Sequence, residues 1–355
     1  MYARDVSAYA AIQARVRAMY STLLNAQAWG ELCDASSYDE LIEALKQTAY
    51  RPYLEDVTES QLTPRRAIFQ VKRRLADTYR TIIRLAPANT RVVFTQLYRH
   101  FEIDNLKAVL RGMVTGASWE QVLYVLFPLG SVTVLPARRM MEAGTIEAAV
   151  ELLRGTPYYG IMTHSMERYT AEQNLFPLEV ALDLHYWRTL WRDANRLPGH
   201  DRTQALRVVG ALVDLNNLMW AIRYRVYYQC SEEEIINYTL PFGYRVQDED
   251  IRSIAAGADI AQIVTRLYPQ LTSMDALLQQ PQHGLPELER QLQRHVAAQC
   301  RTAFTGYPFH VSMPLGYLIL TEWEIQDLTV VIEAKSAHMS TEQFASQLLM
   351  SCSAG

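Results

Sequence analysis

The sequence contains few of the residue patterns that build covalent, metal or phosphate-binding chemistry. Its four cysteines lie far apart, which argues against a disulfide framework and against a structural zinc site: Cys33, Cys230, Cys300 and Cys352. The eight histidines never stand at metal-ligand spacing, and no His-Glu-x-x-His pair occurs. A P-loop and a glycine-rich dinucleotide motif are also missing. We therefore predict no catalytic residue, no cofactor and no metal.

The chain also lacks a strong charge bias and a long apolar run. Its net charge is −4 with a pI near 6.1, which gives no overall tendency to bind nucleic acid. The longest stretch without Asp, Glu, Lys or Arg runs from Thr302 to Thr321, and two prolines and several polar groups interrupt it. Such a stretch is too broken for a membrane helix. Met1 leads into polar and charged residues, which predicts no secretory signal and a cytoplasmic protein.

A short helical motif recurs three times along the 355 residues. The copies begin at Phe101, Val213 and Trp323 and read FEIDNLKAVLR, VDLNNLMWAIR and WEIQDLTVVIE. Aliphatic side chains recur at i, i+3 and i+7 in each copy, which puts them on one stripe of an α-helix. A packed helix with a polar flank explains one copy, but three copies at a period of roughly 110 residues indicate a repeated structural unit.

The polar members of the motif are the residues that we expect to matter for the repeat. Each copy has an acid followed three positions later by Asn or Asp, and a terminal residue that is arginine in two copies. We predict a structural role for Glu102, Asn105, Arg111, Asp214, Asn217, Arg223, Glu324 and Asp327.

The segments between the motifs also recur, with proline and glycine at the joints. Helix starts are predicted at Ser37, Thr63, Ser118 and Ser231, and the first motif helix is predicted over about 89–111. Residues 131–135 are the one short strand that the pattern suggests. We therefore predict an all-α protein of three similar helical units, at 1–112, 113–225 and 226–355. Residues 340–350 resemble the start of a fourth unit that the N-terminal helix would complete, so that the units would close into a ring.

A basic run follows Thr63-Pro64 on a helix whose buried stripe is aliphatic. Such a run is usually a solvated face, and the alternative is contact with an acidic partner surface or anionic lipid headgroups. The candidate interface residues are Arg65, Arg66, Lys72, Arg73 and Arg74.

The first motif resembles the signature of the C subunit of prokaryotic A/V-type rotary ATPases, whose eukaryotic counterpart is the d subunit of the V-ATPase. The likeness extends to the helix containing Tyr9 and Leu23, to the segment from Glu40 to Tyr50, to the run 175–183, and to 316–324. It covers the chain almost end to end. The third motif departs from the pattern, with Asp327 in place of Asn and Glu333 in place of a basic residue.

The resemblance implies a mechanical, non-catalytic part of a rotary ATPase. Members of the family are funnels of three similar helical units around a pseudo-threefold axis. They sit on the membrane rotor ring of proteolipid subunits, at the cytoplasmic face of the cell membrane, and receive the central stalk subunits D and F. Torque then links ATP hydrolysis or synthesis to proton or sodium transport.

Two other hypotheses remain open. A helical-repeat scaffold that binds other protein partners also fits an all-α chain without a nucleotide site, although its usual repeats are shorter, about 20 to 50 residues. An all-α enzyme is the second, because serine, cysteine or carboxylate groups can converge in space without a fixed spacing.

Overall fold

The computed structural model describes residues 2–58, 61–271, 273–279 and 281–350. Within these ranges the chain forms helices joined by turns, and no β-strand occurs. The predicted all-α class is therefore confirmed. Cys352 lies outside the described residues. The side chains of Tyr2 to Asp5, of Asp275 and of residues 281–283, which include His283, are also not described.

The chain folds into two compact units. The first unit comprises residues 1–163 and 317–355, and the second comprises residues 164–316. The first unit therefore contains the first and third motifs, and the second unit contains the second motif. The division into 1–112, 113–225 and 226–355 and the pseudo-threefold funnel remain predictions.

The first unit begins with the helices of the N-terminal part of the chain. They are α1 (Tyr2–Tyr20), α2 (Ala26–Asp34), α3 (Tyr38–Leu45), α4 (Arg51–Leu54), α5 (Pro64–Leu85), α6 (Arg91–Tyr98), α7 (His100–Thr115), α8 (Trp119–Leu123), α9 (Ala137–Met141) and α10 (Ile146–Glu151). Helix α11 (Tyr159–Glu172) leads into the second unit.

The second unit is built around one long helix. Its helices are α12 (Phe176–Asn195), α13 (Gly199–Val226), α14 (Glu232–Asn237), α15 (Asp248–Ala255), α16 (Ile260–Leu267), α17 (Met274–Leu278) and α18 (Pro281–Thr302). Helix α19 (Ser312–Ser336) begins in the second unit and continues in the first, where α20 (Thr341–Phe344) follows it.

Side-chain caps explain why the helices begin where the sequence predicts. The side-chain oxygens of Ser37, Thr63, Ser118 and Ser231 each accept a hydrogen bond from a backbone N–H in the first turn of α3, α5, α8 and α14. These bonds satisfy donors that have no partner inside the helix. The four predicted helix starts are confirmed.

Two local predictions are wrong. The stretch 89–111 is not one helix, because α6 ends at Tyr98 and α7 begins at His100. The proposed strand over 131–135 is a 3₁₀ turn, Gly130–Val132, followed by extended backbone. The N–H of Val134 donates to a carboxylate of α7 instead of to a neighbouring strand.

Helix α13 forms the core of the second unit, where it packs against α12, α15 and α18. By length and composition it is the one described helix that satisfies the criteria for a membrane span, with a mean hydropathy of 1.3 over its most apolar window. Of that window, 78% is buried within the protein. A buried core helix of a soluble domain has these same properties.

Candidate functional site

The polar residues of the three motifs lie inside the protein. The acids Glu102, Asp214 and Glu324 are at most 5% exposed, and the residues three positions later are buried as well: Asn105, Asn217 and Asp327. A buried polar group is costly unless it is hydrogen-bonded. Each motif therefore needs hydrogen-bond partners for its acid and for the residue three positions later, and the arrangement of these partners is similar in the three copies.

In the first copy, Glu102 joins α7 to two segments that follow it in the chain. Its Oε1 accepts hydrogen bonds from the Val134 N–H at 2.6 Å and the Thr133 hydroxyl at 2.9 Å. Its Oε2 accepts from the Tyr158 hydroxyl at 2.6 Å. Burial, and then the Glu102 carboxylate, raise the pKa of Tyr158, so this hydroxyl keeps its proton and acts as a donor.

In the second copy, Asp214 accepts three backbone hydrogen bonds. The donors are the N–H groups of Tyr244 at 2.7 Å, Arg245 at 2.7 Å and Val246 at 3.2 Å. Burial outweighs these bonds and raises the pKa of Asp214 to about 6. A Cβ atom at Gly243 would lie 2.4 Å from the Asp214 carboxylate, so glycine is required where the loop closes around the acid.

In the third copy, the partners of Glu324 come from the other end of the chain. Its Oε2 accepts from the Leu24 N–H at 2.6 Å, and its Oε1 accepts from the Tyr50 hydroxyl at 2.8 Å. The Arg74 guanidinium donates to Oε1 at 3.1 Å and lies 4.3 Å from the centre of the Tyr50 ring. Burial raises the pKa of Glu324, while the charge of Arg74 opposes that rise. The N-terminal segment thus completes the third motif.

A tyrosine recurs at the same period as the acids. Tyr50 and Tyr158 donate to the acids of the third and first motifs. Tyr268 stands at the corresponding position after the second motif, and burial and then the charge of Asp214 raise its pKa. The three tyrosines are buried.

The residue three positions after the acid binds the backbone of a later segment. In the first copy the Asn105 amide donates to the Phe127 carbonyl at 2.9 Å and accepts from the Phe127 N–H at 2.7 Å. Asn217 makes the same pair of bonds to Leu240, at 2.8 and 2.7 Å. An amide is the side chain that can both donate and accept in this way.

Asp327 replaces the amide by a carboxylate, and its contacts change accordingly. It accepts from the Leu349 N–H at 2.9 Å and from the Met350 N–H at 2.5 Å. A carboxylate has no proton to donate, so it takes a second N–H in place of the carbonyl. The third motif thus keeps the connection to a later segment with different chemistry.

The last positions of the motifs are more exposed than the acids and amides. Arg111 is exposed, and Arg223 pairs with Glu289 at 2.5 Å. Glu333, which ends the third copy, is also exposed. These residues are therefore not part of the buried connections that the acids and amides make.

The predicted basic interface on α5 is partly exposed. Arg65 and Arg66 are exposed, whereas burial lowers the pKa of the half-buried Lys72. Arg73 pairs with Asp56 at 3.0 Å across the surface. The use of these four residues as an interface remains a prediction.

Arg74 does not belong to that exposed face, and its inclusion in the predicted interface is wrong. It is 6% exposed and pairs with Glu324. It lies one turn from the buried residues Val71 and Thr78, so the helical period turns it inward.

The sequence predictions missed the partners of the acids. The recurrence of Tyr50, Tyr158 and Tyr268 at the period of the acids is a signal that pairs them. For Arg74 the signal is its position beside the aliphatic stripe of α5. Among the described residues, no group of three or more His, Cys, Asp or Glu side chains is arranged to hold a metal ion.

Comparison with known proteins identifies the family to which the chain is similar. Residues 12–347 match the family described as ATP synthase (C/AC39) subunit. The chain is similar to the C subunit of the A-type ATP synthase of Methanocaldococcus jannaschii, with 26% identity over 97% of this chain and 87% of that protein. The corresponding protein of Methanothermobacter thermautotrophicus is also 26% identical, over 97% of this chain and 88% of that protein. That of Thermococcus onnurineus is 25% identical over 91% of this chain and 85% of that protein.

The match spans nearly the whole chain and agrees with the resemblance that the motifs indicate. The chain belongs to the ATP synthase (C/AC39) subunit family, whose members are structural, non-catalytic parts of ion-transporting rotary ATPases.

Proposed function

We propose that this chain is the central-rotor subunit that couples the central stalk, formed by subunits D and F, to the proteolipid ring in the membrane. Torque transmitted through it would link ATP hydrolysis or synthesis to proton or sodium transport. The family match over residues 12–347 is the observation that carries the proposal. The chain would then lie at the cytoplasmic face of the cell membrane, peripheral to the bilayer.

The contacts of the motifs suit a part that has to resist twisting. In each copy a buried acid bonds its helix to segments 30 or more residues away, and the Asn or Asp bonds to a segment 22 or 23 residues away. Buried and fully hydrogen-bonded polar groups fix one arrangement of the helices. A subunit that passes torque needs this stiffness and needs no reactive group.

The exposed arginines of α5 are candidates for contact with the rest of the machine. Arg65 and Arg66 stand on the solvent side of the helix, while Arg74 on the same helix is buried. We propose that this face meets an acidic surface of a partner subunit or anionic headgroups. Such contacts tune association and weaken as salt rises.

The test compares membrane vesicles that contain the complex with vesicles from cells that lack this chain. We expect the tagged chain to co-purify with subunits D and F and with the ring. Without the chain, ATP hydrolysis by the soluble head should continue while ATP-driven ion uptake is lost. Coupled uptake in the absence of the chain, or purification with neither the stalk nor the ring, would contradict the proposal.

A charge-reversal pair tests the basic face. The R65E/R66E variant should weaken recovery of the complex at low salt. The R15E/R17E variant, which reverses two exposed charges on α1, is the matched control and should behave as the wild type. Equal recovery of both variants would remove the α5 face from the proposal.

A further inference from the structure

A cavity of about 200 Å³, partly open to solvent and lined by both polar and apolar side chains, lies within the second unit. One wall is formed by the first turns of α13, where His200, Gln204 and Arg207 recur at helical spacing and share one face. The opposite wall comes from the end of α18 and from the segment that leads into α19, with Thr302 and His310. The motif acids and their partners do not line this cavity.

The described lining of the cavity presents hydrogen-bond donors and positive charge but no negative charge. It includes the guanidinium of Arg207, two imidazoles and several hydroxyl groups, and it includes no Asp or Glu. Asp201 stands next to His200 in the chain, and its Oδ1 accepts the backbone N–H of Val311 at 3.1 Å. Arg207 itself donates to the Thr302 hydroxyl at 3.4 Å. The exposed guanidinium thus lies at the mouth of the cavity, and the described lining contains no carboxylate to neutralise it.

The pKa of His310 is lowered in part by positive charge nearby. Its Nδ1 lies 2.8 Å from the Ser312 hydroxyl, and the ring centres of His310 and His200 are 5.2 Å apart. Burial, and then the neighbouring charges of His200 and Arg207, lower the pKa of His310 to about 4. An anion beside these groups would oppose both charges.

We propose that this cavity binds a small phosphate-bearing anion, with Arg207 and His200 contacting the phosphate oxygens and the cavity hydroxyls donating to them. A guanidinium pairs well with phosphate because its planar set of donors matches the phosphate oxygens. The volume admits a small phosphorylated compound. This site is independent of the proposed coupling between stalk and ring.

Titration calorimetry on the full chain tests the proposal, with sodium phosphate as the probe and sodium chloride at matched ionic strength as the blank. We expect saturable binding of phosphate. The R207Q variant should weaken it by about tenfold or more, since a charge-assisted hydrogen bond is lost. The matched control is R202Q, because Arg202 is, like Arg207, an exposed arginine of the same helix, but it donates to Asn195 and does not line the cavity. R202Q should bind as the wild type.

Histidine NMR locates the bound anion. Phosphate should raise the pKa of His310 in the wild type, with the signal assigned by comparison with H310Q, and should not raise it in R207Q at the same concentration. Three results would overturn the proposal: no heat above the chloride blank, equal binding by R207Q, or binding that leaves the His310 signal unchanged. Each of these is measured on the isolated chain, so failure here is distinguishable from failure of the coupling function.

Discussion

Removing the positive charge of Arg74 should destabilise the first unit far more than removing an exposed arginine of the same helix. The Arg74 guanidinium is 3.1 Å from the Glu324 carboxylate, and the two side chains are 7% and 0% exposed. Arg74→Met keeps most of the aliphatic stem but leaves a buried carboxylate without its cation. Breaking a buried pair from one side costs about 3–5 kcal/mol. Arg66→Met, at an exposed position of α5, should change the free energy of unfolding by about 0.5 kcal/mol or less.

The assay is urea unfolding of the isolated chain, followed by circular dichroism, for R74M, R66M, E324Q and the double variant R74M/E324Q. Glutamine at position 324 removes the negative charge and keeps one oxygen, which can accept from either the Leu24 N–H or the Tyr50 hydroxyl, because these two donors bond to different carboxylate oxygens. In the double variant no buried charge is left without its partner. The double variant should therefore lose less than the sum of the single losses, with a coupling energy of about 1 kcal/mol or more. A loss in R74M no larger than in R66M, or strictly additive single losses, would refute the argument.

The pH dependence of R74M provides a second check. The folded-state pKa of Glu324 is already raised by burial, and Arg74 opposes the rise. Without Arg74 the pKa rises further, so the folded state binds a proton more tightly than the unfolded chain. That contribution to stability is fully present below the pKa that Glu324 has in the unfolded chain, and it is lost as pH rises through the pKa that Glu324 has in the folded protein. The destabilisation of R74M should consequently be smaller at about pH 4 than at about pH 7.

Two further substitutions test the other copies of the motif. The pKa of Asp214 is raised from 3.8 to about 6. Its contribution to the free energy of unfolding is therefore complete below pH 3.8 and is lost as pH rises through about 6. In urea unfolding, D214N should remove the pH dependence between these two values. Asn105→Asp puts a carboxylate against the Phe127 carbonyl and should cost about 1–3 kcal/mol of unfolding free energy, measured beside the exposed control Asp104→Asn.

The periodic parts of the fold were predictable from sequence because they depend on local chemistry. Ser118 and Ser231 cap their helices through residues only three positions away, and such caps leave a sequence signature. The motif stripes are equally local. The strand predicted over 131–135 failed because its backbone N–H at Val134 finds a carboxylate on another helix, which the residues of the segment do not reveal.

The candidate site was predictable in its acids and amides but not in their partners. Glu102 and Asn105 could be selected because their residue types recur, whereas Tyr158 is 56 residues away from Glu102. The case of Arg74 shows the limit of a charge pattern. The other four cations of the predicted interface are exposed or half-buried, and Arg74 is buried against an acid 250 residues away. The helical period indicates its inward position, but only the tertiary contact identifies Glu324.

The third motif shows how a linear chain completes a repeating set of contacts. In the first two copies the partners follow the motif in the sequence, at Tyr158 for Glu102 and at Tyr244 to Val246 for Asp214. Glu324 takes its partners from residues that precede it, because the Leu24 N–H and the Tyr50 hydroxyl donate to its carboxylate.

This completion divides one repeat between the two ends of the chain. The late residues Leu349 and Met350 bind Asp327, while the early residues bind Glu324 three positions before it. A division by chain order alone, such as 226–355 for the third unit, therefore separates the third motif from half of its partners. We propose that the repeat is better defined by its contacts, with the N-terminal residues up to Tyr50 assigned to the third unit. The two ends of the chain are then joined through α19, whose Glu324 binds the early residues and whose Asp327 binds the late ones.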